Sequence, residues 1–167
     1  MRKLLIFAIF IVLGLFGCSD DNIGMDGMLY KDAAFASELK SLPESLEIDG
    51  STLALSTLLW RDFTPETGGS KGTLLESVTN LYTIDSLPIP ESIVLSKQYL
   101  VNGNEIWEAE YFQWCYNTEY DCVITGYVPN GPRWRAQILV DVITEFKSKG
   151  VIYRILAKEQ FIYLKYY

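Results

Sequence analysis

Carboxylates and cysteines are the residues that could do chemistry in this chain of 167 residues, because the sequence contains no histidine. Ser-His-Asp and Cys-His nucleophilic sites, His general bases and His-ligated metals are thereby excluded. Glu108 and Glu110 lie two residues apart, so in a strand they share a face at a separation of roughly 7 Å. Such a pair could act as the acid and base of a glycosidase. The sequence shows no sign of a pocket around them, so we interpret them as acidic residues that keep an edge strand soluble. We predict no enzyme, with carboxylate chemistry as the residual alternative.

The first seventeen residues have the organisation of an export signal. A basic start at Arg2 and Lys3 precedes an apolar run from Leu4 to Phe16. This run is too short to span about 30 Å of hydrocarbon and suits the apolar core of a signal peptide. It ends in Leu15-Phe16-Gly17-Cys18, which resembles the lipobox of bacterial lipoproteins. The resemblance implies cleavage before Cys18 and acylation of that cysteine. A plain secretory signal and an uncleaved anchor helix are the alternatives.

The same resemblance implies a location for the chain. Two or more acyl chains hold a protein stably at a membrane. Ser19 follows Cys18, in place of the Asp that retains lipoproteins at the inner membrane in the best-known sorting system. We therefore expect a lipid anchor in the outer membrane, on its periplasmic face or at the cell surface. Residues 18–42 would form the anchor and tether, and residues 43–167 a single domain.

The two remaining cysteines, Cys115 and Cys122, are separated by six residues. An exported domain can keep a disulfide, and an even number of thiols is what a disulfide requires. A bridge closing so small a loop would contribute roughly 2–3 kcal/mol. Two buried free thiols are the alternative. Two cysteines without histidine cannot complete a tetrahedral zinc shell, so we expect no metal and no cofactor.

The charge balance restricts the partners of this chain. It carries 21 Asp and Glu against 14 Lys and Arg, a formal net charge of −7. Nucleic-acid binding needs clustered Lys and Arg to displace counterions, so we expect no nucleic acid. The partners expected are the membrane, through the lipid anchor, and an unidentified envelope protein or glycan.

Loop aromatics and one arginine are the candidate ligand contacts. Trp114, Tyr116 and Tyr120 surround the predicted disulfide loop, and Trp134 follows a Pro/Gly turn. Aromatic side chains on rigid loops could stack on sugars or anchor a protein. We expect the disulfide loop to be the recognition tip. Arg61 could clamp a carboxylate, although pairing inside the fold is the more ordinary use of such a side chain.

The elements that must position these residues are strands. Asp49-Gly50 and Asn102-Gly103-Asn104 each lie between apolar runs and predict tight hairpins. Eight or nine short strands separated by turn residues, with breaks expected at 147–150 and 158–160, indicate an all-β fold. A two-layer sandwich of immunoglobulin-like or transthyretin-like type is the prediction, and a small β-barrel is the alternative. One or two helical turns are expected between Lys31 and Lys40, before Pro43.

Three patches, at 58–63, 103–108 and 131–134, resemble a family of small secreted bacterial proteins whose activity is uncharacterised. The resemblance runs from about Leu42 to the C-terminus. It implies one β-sandwich domain and transfers no catalytic role. The sequence therefore predicts a lipid-anchored, non-catalytic binding module, with a small carbohydrate-binding domain as the alternative.

Overall fold

The structure, a computed structural model, describes residues 27–113 and 122–166. This part of the chain is all-β, as predicted: ten strands accompany one eight-residue helix and a short 3-10 turn at Gly69–Lys71. No helix of the described residues is long and apolar enough to cross a membrane. The elements are β1 (Gly27–Lys31), α1 (Ala33–Lys40), β2 (Ser45–Ile48), β3 (Ser51–Asp62), β4 (Leu75–Thr83), β5 (Val94–Asn102), β6 (Glu105–Glu110), β7 (Phe112–Gln113), β8 (Val123–Gly131), β9 (Leu139–Ser148) and β10 (Val151–Lys165).

Both predicted hairpins are confirmed. Asp49 and Gly50 have positive φ angles of 52° and 85°, the conformation of a type I′ turn, and Ile48 pairs directly with Ser51 across it. Asn102 pairs with Glu105 across the second turn, where Gly103 has a φ of 65°. Local turn chemistry therefore sets the register of both strand pairs.

The strands form one curled sheet in the order β1-β6-β5-β9-β10-β3-β4-β8-β7, with β2 paired to β3. Strand β10 connects the two halves, since it runs antiparallel to β9 and then parallel to β3. The expected break at 158–160 is instead a bulge between Ala157 and Gln160, where Glu159 takes a φ of 52°. A bulge bends its strand, and the sheet curls into a half-barrel whose halves face each other. This arrangement combines features of the predicted sandwich and of its barrel alternative.

A polar band crosses the interior between two hydrophobic clusters. The Gln98 side-chain amide donates to Ser77 Oγ at 2.8 Å and to Thr79 Oγ1 at 2.7 Å. The hydroxyls of Tyr111 and Thr144 are 2.7 Å apart. Burial raises the pKa of Tyr111 to about 12. The hydroxyls and the amide nitrogen have protein partners, whereas the buried Gln98 side-chain oxygen has none among the described residues.

Residues 27–42, assigned to the tether by the sequence analysis, include two elements of the folded domain. β1 pairs with β6, and α1 confirms the helix expected before Pro43. Asp32 caps α1 by accepting the Phe35 backbone N–H at 2.9 Å. Ala36 and Leu39 are buried in a third hydrophobic cluster on the outer face of the β1–β10 half. The domain thus extends N-terminally to at least Gly27.

Candidate functional site

The outer surface of β3 and β10 leaves large apolar side chains uncovered. Successive strand residues point to opposite faces. On β3, Leu59 is fully buried inside the half-barrel while Leu58 is 49% exposed outside. On β10, Ile162 is fully buried while Tyr163 is 52% exposed. Since the parallel register places Tyr163 beside Trp60, these side chains lie on one common face.

Six residues make up this surface, which we call the aromatic face: Leu58, Trp60, Leu139, Phe161, Tyr163 and Tyr166. Leu139 pairs with Phe161, and the rings of Phe161 and Tyr163 meet edge to face at 5.1 Å. All except Trp60 are among the exposed large hydrophobic residues. With about 200 Å² for a fully exposed side chain, these five present about 500 Å². That is the upper range for the largest apolar patch on a monomer, and such patches are often functional.

A groove of about 500 Å³ runs along part of the aromatic face. Its size falls within the range of small-molecule sites. Its lining comprises Leu58, Trp60, Tyr163, Leu164, Lys165 and Tyr166.

An ion pair lies at the groove: Lys165 Nζ is 3.3 Å from Asp62 Oδ2. Asp62 Oδ1 also accepts the Thr64 backbone N–H at 2.8 Å. That hydrogen bond and a second from the Thr64 hydroxyl, together with those of Lys165 and Thr67, lower the pKa of Asp62 to about 2. Asp62 therefore stays ionised at neutral pH, and its charge offsets that of Lys165.

Packing beneath the groove holds its Tyr166 end in place. The Phe63 backbone N–H donates to Lys165 O at 3.0 Å, and the Phe63 and Tyr166 rings lie 6.0 Å apart. Gly72, with a φ of +67°, approaches so closely that a Cβ there would lie 2.6 Å from the Phe63 ring. The Tyr166 end of the groove therefore rests on the end of β10 and on the tightly packed Phe63 ring.

Arg61, predicted as a possible ligand clamp, is part of the scaffold. It is 5% exposed and donates to Thr73 O at 2.8 Å, Trp134 O at 2.8 Å and Lys71 O at 2.6 Å. Its guanidinium lies over the Phe63 ring, 4.9 Å from the centroid, and burial lowers its pKa. A guanidinium enclosed by backbone carbonyls is not placed to meet a carboxylate from outside.

Trp134 is likewise buried, at 8% exposure, within a core cluster. Its Nε1 donates to Glu105 Oε2 at 2.9 Å. The ring therefore packs against the core and its polar atom has a partner inside the protein, which leaves little of Trp134 exposed for the predicted stacking on a ligand.

The remaining predicted site residues lie outside the described residues: Cys18, Trp114, Cys115, Tyr116 and Tyr120. Cys122 is half-buried and is a free thiol in the structure. No disulfide is seen among the described residues. Since Cys115 is not one of them, the pairing of Cys115 with Cys122 stays a prediction.

The carboxylates considered for acid–base chemistry lie in a network of opposite charges. Glu110 is directly opposite Lys97 on the neighbouring strand, and Lys97 Nζ forms an ion pair with Glu108. That hydrogen bond is the main cause of the raised pKa of Lys97. Tyr30 donates to Glu108 at 3.2 Å, and burial, with Glu108 next in importance, raises the pKa of Tyr30 to about 12. Within the described ranges, no group of three or more potential ligands could hold a metal ion.

The aromatic face was missed by the sequence analysis, although one signal for it exists. In 161–166, Phe-Ile-Tyr-Leu-Lys-Tyr, apolar residues occupy both alternating sets. Such a strand is either covered on both sides or exposes one apolar side, and α1 covers only the other half of the sheet. Comparison with known proteins yields no matching family model, and no curated protein or solved structure is significantly similar to the chain.

Proposed function

We propose that this protein is a lipid-anchored, non-catalytic binding module of the outer membrane, and that the aromatic face is its binding surface. The observation that carries the proposal is the uncovered surface around Tyr163, which is apolar, contiguous and mounted on paired strands. Burying such a surface against a ligand is favourable by about 25 cal/mol per Å².

The composition of the aromatic face supports a binding role. Tyr and Trp are enriched among the residues that dominate binding energy. Trp60 and Tyr163 sit side by side on neighbouring strands, with Tyr166 close along the chain. A ligand bound there would cost little ordering entropy in the backbone, since paired strands are already held in place.

The proposal is tested by photo-crosslinking in the native envelope. p-Benzoylphenylalanine would replace Tyr163 and, in a control, Ile152, which is 55% exposed and lies outside the aromatic face. We expect a discrete adduct at position 163 and none at 152. The same adducts at both positions, or none at 163, would show that the aromatic face is not a binding surface.

The lipid anchor is tested separately through the lipobox. Cys18→Ala removes the thiol that would carry the lipid, so we expect no fatty-acid label on the variant and its release from the membrane fraction. A fatty-acid label retained on the variant would refute the anchor while leaving the binding role open to its own test.

A further inference from the structure

The dimensions of the groove indicate a compact ligand. Six of the described residues line it, whereas a stable protein–protein interface uses about 20–30 residues on each side. A concave site of about 500 Å³ matches the volumes of small-ligand sites. The groove alone is therefore too small to be the contact surface of a dimer or of a folded partner.

The charges at the groove indicate an uncharged ligand. Among the described residues, Lys165 is the one charged residue of the lining, and Asp62 offsets that charge at 3.3 Å. An anionic ligand would approach a chain of net charge −7. A cationic ligand would meet no carboxylate among the lining residues that the structure describes. Electrostatic complementarity thus favours a neutral molecule.

The side chains of the groove match the two kinds of surface on a sugar. Aromatic rings contact the C–H faces of pyranose rings, while hydroxyl groups need hydrogen-bonding partners. Trp60, Tyr163 and Tyr166 supply rings, Lys165 supplies a donor, and the two tyrosine hydroxyls can donate or accept. Tyr166, just past the end of β10, is 66% exposed and lines the same groove as Tyr163, so its ring offers a second contact for a sugar chain.

We infer that the groove binds a neutral glycan chain, with Trp60, Tyr163 and Tyr166 as stacking residues. This inference rests on the proposed function and names the ligand class of the same surface. The glycan would thus bind on the surface of the sheet, in addition to any contacts that the loops make.

The test is native affinity electrophoresis of the full-length protein in a polyoxyethylene detergent, which carries no sugar. The gels contain laminarin, xylan, glucomannan or amylopectin, each at a series of concentrations. We expect at least one polysaccharide to retard the protein. Tyr163→Ala and Tyr166→Ala should each weaken that retardation about tenfold.

Phe112→Ala is the matched control, because Phe112 is 54% exposed and does not line the groove. It should leave retardation unchanged. Retardation by none of the four polysaccharides, or equal retardation of Tyr163→Ala and wild type, would overturn the glycan inference. If crosslinking at position 163 then gives an adduct with another protein or a second copy, the binding module stands without the glycan. If it gives none, both proposals fail.

Discussion

Replacing Arg61 with methionine tests whether this buried arginine is structural. Arg61 donates three hydrogen bonds of 2.6–2.8 Å to the carbonyls of Lys71, Thr73 and Trp134. These bonds connect β3 to the segment before β4 and to the segment between β8 and β9. Methionine retains much of the apolar stem but donates to none of the three carbonyls.

The expected loss follows from opposing contributions. Hydrogen bonds from a charged donor contribute about 1.5–3 kcal/mol each. The methionine variant no longer buries a cation, however, and that removes a desolvation cost. The carbonyl of exposed Lys71 can also be hydrated when its donor is lost. We therefore expect Arg61→Met to lower the free energy of unfolding by about 3 kcal/mol, which would lower the Tm by about 10 °C in a domain of this size.

Urea unfolding followed by tryptophan fluorescence measures this loss, with an unchanged m value showing that the native state is otherwise intact. Arg135→Met is the control, since Arg135 is exposed, and its cost should stay below about 0.5 kcal/mol. A variant at Arg61 that is as stable as this control would refute the structural role and would return Arg61 to the candidate ligand contacts.

Three further predictions concern Asp62, the polar band and the two thiols. The pKa of Asp62 is lowered to about 2 from 3.8, so its contribution to stability is present above pH 4 and is lost as the pH falls towards 2. Urea titrations across this range should show a smaller decline for Asp62→Asn; an equal decline would contradict the assignment. Tyr111→Phe deprives Thr144 of its 2.7 Å partner and should cost about 1–2 kcal/mol, whereas an unchanged unfolding midpoint would show that the band is not stabilising. Alkylation of the exported protein without reductant, followed by mass spectrometry, should label neither Cys115 nor Cys122; labelling of both would show free thiols.

Local chemistry explains what could be predicted from the sequence. Asp49-Gly50 and Gly103 provide the positive φ angles that tight turns need, and Asp32 provides an acceptor at the start of α1. Each of these features involves residues within a few positions of one another. The two hairpins, the helix and the all-β class follow from such features, because turn and cap energies do not depend on distant parts of the chain.

Only the tertiary structure decided which side chains are available for binding. Arg61 is enclosed because Trp134, 73 residues away, brings its carbonyl within 2.8 Å. Apolar residues occupy both alternating sets of residues 161–166, so the sequence does not show which set faces outward. The parallel register with β3 determines that Tyr163 faces outward beside Trp60. The bulge at 158–159 lets β10 continue from one half of the sheet to the other. Exposure depends on such long-range pairings, which alternation within a single strand does not encode.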